Sequence, residues 1–219
     1  MCGRYGVNLD AKALAAAFRV SLPYSDTIRV PHWNCAPTQY LPIIRQDADG
    51  RHLEGTRWGW RRPFTKAGLI NAKGEDILTK TKIFRKALAE RRCIVPASHF
   101  YEWQPGDGKS KQPFAIGLNA APLFAMAGLW EDERDGDVVE RCHVVCTIDP
   151  NELMQSIHGR QPLILTTPEQ VDRWLNPASE MAEVVDLIKT TPAELMHAWK
   201  VSQAVGSVKN NGPELAQPT

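Results

Sequence analysis

Two hydrophobic periodicities run through the chain, and the strand-like one prevails. Apolar residues alternate with polar ones or gather in short runs over residues 41–45, 53–60, 92–97, 112–118, 123–130 and 138–148, the spacing of half-buried and buried strands. Asp47-Ala48-Asp49-Gly50 and Asp135-Gly136 supply turns that join neighbouring runs into hairpins. Residues 163–165 add a short apolar run, and 195–202 read as a late strand. Helical spacing appears only in pieces. Leu14 and Phe18 sit one turn apart within 12–19, behind an Asn8 or Asp10 cap. Ile83, Phe84, Ala87 and Leu88 mark a second helix, with two more at 151–157 and 168–175. Strands outnumber helices without regular strand and helix alternation, which predicts an α+β fold. We expect one domain over 1–219, with a mainly antiparallel, barrel-like core and flanking helices. Residues 206–219 are polar and rich in small residues, and read as a C-terminal tail.

Composition leaves that picture intact and narrows the class. With 219 residues, 43% hydrophobic and 23% charged, the chain is neither disordered nor a small disulfide scaffold. No apolar run approaches a bilayer span, and no basic segment followed by a hydrophobic one opens the sequence, so we expect a cytoplasmic protein without a membrane partner. Five cysteines, an odd number with no C-x-x-C pair, suit reduced thiols.

Net charge is only +1, but it is unevenly spread. Between Arg57 and Arg92 stand 11 Lys or Arg against 3 Asp or Glu, a local excess of +8. A solvated surface accounts for such a run without any partner. The same stretch carries Trp58 and Trp60, however, and cations interleaved with aromatic faces are also how proteins hold single-stranded nucleic acid.

Chemistry begins at Met1-Cys2-Gly3-Arg4. Removal of Met1 would leave an α-amine and a thiol on one residue, with reference pKa values of about 8 and about 8.5, so both reach the nucleophilic form near neutrality with little tuning. Such a 1,2-aminothiol condenses with an aldehyde to an imine and closes a thiazolidine ring, the second attack being intramolecular. By position alone, Cys2 reads as an idle cysteine near the start of the chain. Glu102 stands among aromatic residues in His99-Phe100-Tyr101-Glu102-Trp103, where desolvation would raise its pKa toward acid/base use. His158, beside Arg160 in Ile157-His158-Gly159-Arg160-Gln161-Pro162, is a proton donor or phosphate contact, or simply structural. Cys142-His143-x-x-Cys146 is a poor zinc site, since in a strand His143 points away from both cysteines. Cys35 and Cys93 read as small buried hydrophobes. We expect no metal and no cofactor.

Taken together, seven ordered segments resemble the SRAP (SOS-response-associated peptidase) family. They are Met1-Cys2-Gly3-Arg4-Tyr5, Asn34-Cys35-Ala36-Pro37-Thr38, Trp58-Gly59-Trp60, Ile70-Asn71-Ala72-Lys73-Gly74-Glu75, Arg92 to Ala97 with Phe100-Tyr101-Glu102-Trp103, the His158 segment, and the stretch from Val205 to Leu215. The resemblance implies a protein that recognises abasic sites in single-stranded DNA and cross-links itself to the ring-opened sugar through Cys2. It implies catalytic roles for Cys2, Asn71, Glu102 and His158. Asn71 would hold the Cys2 amine and the sugar, Glu102 would move protons, and His158 would assist near the sugar oxygen. It further implies strand contacts at Arg4, Asn34, Trp58, Lys73, Trp103, Thr147 and Arg160, with Arg4 and Arg160 on phosphates. Removal of Met1, a lyase activity at abasic sites and a monomer associated with DNA complete the expectation. Lys73 stands where the family usually has Arg, so a bidentate fork becomes a point charge. Trp60-Arg61-Arg62-Pro63-Phe64 departs from the family pattern and leaves open which side chain blocks the stack beyond the lesion, and Gln161 replaces a commoner Met or Arg. Two other readings stand beside this one: an N-terminal-nucleophile amidohydrolase attacking through Cys2, and a non-enzymatic single-strand binder using the basic stretch.

Overall fold

The computed structural model describes residues 2–24, 28–62, 65–79, 82–106 and 111–219, with the backbone alone at 65–67, 79 and 82–83. Two sheets organise the chain. The strands Tyr40–Asp47 and Gly50–Trp58 form a hairpin in which Tyr40 opposes Arg57 and Ile44 opposes Leu53. The first of them pairs with Arg92–Ala97, which pairs with Phe124–Asp135, which pairs with Val138–Ile148. Val138–Ile148 returns to Gly50–Trp58 through a parallel pairing of His143 with Trp58 and closes a five-stranded barrel. Closure removes the free edges that an open sheet would present. The expected α+β class with a mainly antiparallel, barrel-like core and flanking helices is therefore the observed one. Its strands are buried on both faces: the neighbours Ile43 and Ile44, the neighbours Val144 and Val145, and Ile94 are all fully buried.

A second sheet of five strands lies beside the barrel, in the order Met196–Lys200, Lys111–Leu118, His99–Pro105, Tyr5–Val7, His32–Cys35. It brings the two ends of the chain together. Tyr5 opposes both Cys35 and Phe100, so the N-terminal residues are threaded between two strands.

The elements expected from periodicity recur with shifted ends. Asp10 caps the helix Ala11–Ala17, Asn151 caps Glu152–Gln155, and Pro168–Leu175 begins with proline at its first turn. The strand expected over 53–60 is broken at Gly59, whose φ of +114° ends Gly50–Trp58 and starts Trp60–Arg62 in a new direction. Of the four residues that marked the second helix, the Ile83 side chain lies outside the described set. Phe84, Ala87 and Leu88 are buried on the inner face of Lys82–Glu90. No described helix is long and apolar enough to cross a membrane.

The C-terminal stretch is a correction. Residues 206–219 are no loose tail: Leu215 is buried, Asn211 Oδ1 accepts the Trp33 N–H at 2.7 Å, and the Thr219 N–H reaches the Lys200 carbonyl at 3.1 Å. Its composition is polar because it lies on the surface, but one leucine and its backbone bonds fasten it to the five-stranded sheet. Leu215→Ala is expected to lower stability by about 2–5 kcal/mol and Tm by roughly 5–15 °C, as burial of a leucine requires. An unchanged melting curve would return the segment to the status of an appendage.

Candidate active site

The site lies where the two sheets meet, and each of its four central residues reaches it from a different segment. The Tyr101 N–H donates to the Arg4 carbonyl at 2.9 Å, which continues the ladder between the N-terminal strand and His99–Pro105 beyond Tyr5. That register brings Gly3 opposite Glu102 and leaves Cys2 next to it, close enough for the Glu102 charge to act on the thiol. From the barrel side, Asn71 opens the short strand Asn71–Lys73, which pairs in parallel with Val145 to Thr147. Its Nδ2 donates to the Cys2 carbonyl at 3.0 Å, so one buried amide ties the N-terminal segment to the barrel. Its Oδ1 is buried and has no partner, an acceptor left unused in the resting chain.

Burial sets the chemistry of the two central groups. Glu102 is only 4% exposed, and desolvation pushes its carboxyl up to about 8, against the positive charge of the amino terminus. It is a neutral acid at physiological pH. Cys2 is fully buried, and burial together with the Glu102 carboxylate pushes the thiol far above its ordinary range. The expectation that Cys2 needs little tuning is therefore not met: the resting sulfur is a protonated thiol, and a base must take its proton.

His158 follows the helix Glu152–Gln155 in a loop tied to the five-stranded sheet by Gln104, whose Nε2 reaches the Ser156 carbonyl at 2.6 Å. His158 Nδ1 accepts the Arg160 N–H at 3.1 Å, and Nε2 lies 3.8 Å from Glu102 Oε2. Partial burial lowers its pKa, so the imidazole is neutral. Cys2, Asn71, Glu102 and His158 thus form one cluster.

The expected strand contacts divide. Lys73 is exposed and pairs in register with Thr147, whose buried Oγ1 has no partner. Arg160 bridges Glu75 and Asp149 and donates to the Thr147 carbonyl at 2.7 Å, so a phosphate would have to compete with two carboxylates for its guanidinium. Trp103 is half-buried under the Arg4 guanidinium.

Three expectations need correction. Trp58 is wholly buried, its indole donating to the Ile70 carbonyl at 2.9 Å, and Trp60 is buried as well. These two tryptophans belong to the core and offer no face to a strand. Asn34 is also buried, its Nδ2 placed among the carbonyls of Val205, Ser207 and Asn210. Arg4 donates to Asn34 Oδ1 and to the Val205 and Gly206 carbonyls. Both therefore clamp the C-terminal turn against the site and are not free phosphate or base contacts. The question of the blocking side chain stops at Arg62, because Pro63 and Phe64 lie outside the described residues; Arg61 and Arg62 pair with Glu140, Glu131 and Glu133.

Sequence reasoning missed Lys111, a cation close enough to depress the His158 pKa. A lone lysine in a hairpin carries no signal until the fold sets it beside a histidine. His143 is fully buried and paired with Thr56 Oγ1 at 2.7 Å, apart from any cysteine pair. The nearest approach to a metal-ligand set among the described residues is Glu133, Glu140 and Cys142, whose carboxylates already pair with Arg61 and Arg62.

Known proteins resemble this chain along its whole length. The chain is 37% identical to the abasic site processing protein YoqW of Bacillus subtilis, over 99% of both chains. It is 31% identical to the abasic site processing protein YedK of Escherichia coli over the full length of both. The chicken abasic site processing protein HMCES is 29% identical, with all of this chain covering 78% of that one. A solved structure from Bacteroides thetaiotaomicron shares the fold with a TM-score of 0.86 at 24% identity over the whole of both chains. Residues 1–208 match the family model described as SOS response associated peptidase (SRAP), and the chain belongs to that family.

Proposed function

We propose that this protein processes abasic sites by binding the damaged strand as single-stranded DNA and capturing the sugar aldehyde on Cys2. The observation that carries the reading is the convergence of a buried N-terminal cysteine, an unpartnered Asn71 oxygen and a neutral carboxylic acid on one point. Loss of Met1 exposes the Cys2 amine, for which Asn71 Oδ1 is the waiting acceptor. Glu102, protonated at rest, gives its proton to the ring oxygen of the sugar hemiacetal while the neutral His158 takes the proton of the anomeric hydroxyl, and the ring opens to the aldehyde. The amine then attacks the aldehyde carbon, and the carbinolamine loses water to give the imine. Glu102, now a carboxylate, takes the Cys2 thiol proton, and the sulfur adds to the imine carbon as the nitrogen takes the proton held by His158. The result is a five-membered thiazolidine, and the sum is protein plus DNA minus one water. Because the imine acidifies the neighbouring sugar carbon, elimination of the 3′ phosphate competes until the sulfur closes the ring.

Intact mass tests the reading. After incubation with a single-stranded oligonucleotide bearing one abasic site, the protein should gain the oligonucleotide mass less one water, starting from a chain that lacks Met1. An undamaged oligonucleotide should give no adduct. A processed N-terminus without any adduct would sink the proposal and favour amide hydrolysis or simple strand binding.

Binding should also weaken with salt. Lys73 ends the strand that carries Asn71, Lys111 acts on His158 and Arg160 stands two residues after it, and three phosphate contacts by these cations on a single strand predict a slope of log K against log salt of about −2. Lys73→Ala should flatten that slope by roughly 0.7. An affinity indifferent to salt would remove these residues from the strand path.

A further inference from the structure

A cavity of about 480 Å³ lies apart from the Cys2 centre, lined by Ile28, Arg29, His32, Gln39, Tyr40 and Gly55. Tyr40 is 59% exposed, the most solvent-exposed aromatic side chain that the described core and surface present. It is nevertheless held. Its hydroxyl donates to the Glu140 carboxylate, and Glu140 in turn pairs with Arg61 at 2.6 Å. An exposed ring anchored at its polar end keeps its face in one plane, so a flat ligand stacking on it orders little that was free before.

The other polar groups of the cavity are donors. His32 Nδ1 accepts the Asn34 N–H at 3.2 Å, and burial lowers the His32 pKa, which leaves a neutral imidazole with Nε2–H to give. Gln39 Oε1 accepts the Ala36 N–H at 2.8 Å, leaving the amide NH2. Arg29 has no carboxylate partner among the described residues. An anchored aromatic face with an arginine, an imidazole N–H and an amide NH2 around it suits a ligand that is flat, rich in acceptors and negatively charged at one end. A nucleotide has that chemistry.

The cavity is joined to the reaction centre by a short chain of hydrogen bonds. The Trp58 N–H donates to the Gln39 carbonyl at 2.9 Å, the Trp58 indole donates to Ile70, and the next residue, Asn71, holds the Cys2 carbonyl. One buried tryptophan thus separates the Tyr40 wall from the strand that carries Asn71. We propose that this cavity is a nucleotide subsite of the DNA path, in which an unpaired base flanking the abasic site stacks on Tyr40 while Arg29 takes its phosphate. The proposal rests on the strand-binding reading above, and its function is to hold the damaged strand in register with Cys2. The basic stretch led sequence reasoning to place the stacking surface at Trp58. The fold buries that ring and offers Tyr40 on the adjoining strand.

Binding of fluorescent single-stranded oligonucleotides to Tyr40→Ala and Tyr40→Trp tests it. On an oligonucleotide with bases on both sides of the lesion, Tyr40→Ala is expected to bind about ten-fold more weakly, as loss of one stacked base requires, and Tyr40→Trp to bind about as wild type does. When the bases on one side of the lesion are replaced by tetrahydrofuran spacers, wild type should fall to the level of Tyr40→Ala, and the variant should lose nothing further. Repeating the substitution on the other side locates the subsite as 5′ or 3′. Wild-type affinity in Tyr40→Ala, or an equal loss on both kinds of oligonucleotide, overturns the subsite while leaving the Cys2 chemistry standing. A wild-type protein that binds no single strand at all overturns both.

Discussion

Cys2→Ala is expected to abolish the heat-stable adduct completely while leaving the first half of the reaction intact. Alanine is small enough for Met1 still to be removed, so an α-amine remains at residue 2, held as before by Asn71. That amine can form the imine but has no sulfur with which to close the ring. The variant should therefore be trapped on abasic DNA by borohydride and released without it, and strand cleavage should rise above wild type because the imine has only elimination or hydrolysis open to it. Mass spectrometry after heating, with and without borohydride, reads both arms. A heat-stable adduct in Cys2→Ala would assign the linkage to another nucleophile. Failure to trap any imine would mean that the thiol attacks first and that the amine is not the leading group.

Glu102→Gln is expected to move activity and stability in opposite directions. The folded chain holds the Glu102 proton up to about 8, whereas the unfolded chain releases it near 4.5. Between those values the unfolded state binds fewer protons, so the Glu102 contribution lowers stability as pH rises from about 4.5 to about 8 and is constant beyond. At pH 7 that burial costs roughly 3 kcal/mol. Glutamine keeps the shape without the charge. The variant should melt several degrees higher at pH 8 and gain nothing at pH 4, while its cross-linking slows by about 10²- to 10⁴-fold. Wild-type cross-linking should also decline as pH passes about 8, where Glu102 loses the proton it must donate, and in Glu102→Gln that decline should vanish along with the rate. Equal losses in DNA binding and cross-linking would reduce Glu102 to a structural residue.

A residue that destabilises its own fold is retained for what it does. Phe100, two residues before Glu102, and Phe114, opposite it in the ladder, share its face of the sheet, and Glu102 is buried beside them. The same enclosure raises the Cys2 thiol. Both groups thereby keep their protons at rest, and Cys2 stays a thiol until the substrate has taken the Glu102 proton and left a carboxylate to act as its base. An isolated 1,2-aminothiol in water would have no such restraint.

Much of this was legible beforehand. Alternating apolar positions identified the barrel strands, a cap at Asn8 or Asp10 located the first helix, and the aromatic surroundings of Glu102 announced a raised pKa. Periodicity failed where strands are too short to show a period, as in Tyr5–Val7 and Asn71–Lys73, and these are the two strands that carry the N-terminal cysteine and its partner. It also failed at the C-terminus, where a polar composition concealed a segment clamped by Arg4 and Asn34.

Local chemistry can be read from the chain because it depends on neighbours a few residues away: a small residue after methionine, a carboxylate between aromatics, an aspartate before an apolar run. Which tryptophan is buried and which tyrosine is exposed depends on the closing of the barrel, a pairing between segments some 85 residues apart. Composition made Trp58 a binding surface, and closure made it part of the core. The residues that can react were set by the sequence. Their protonation, their partners and the path left open to a strand were decided by burial, which exists only once the sheets have met.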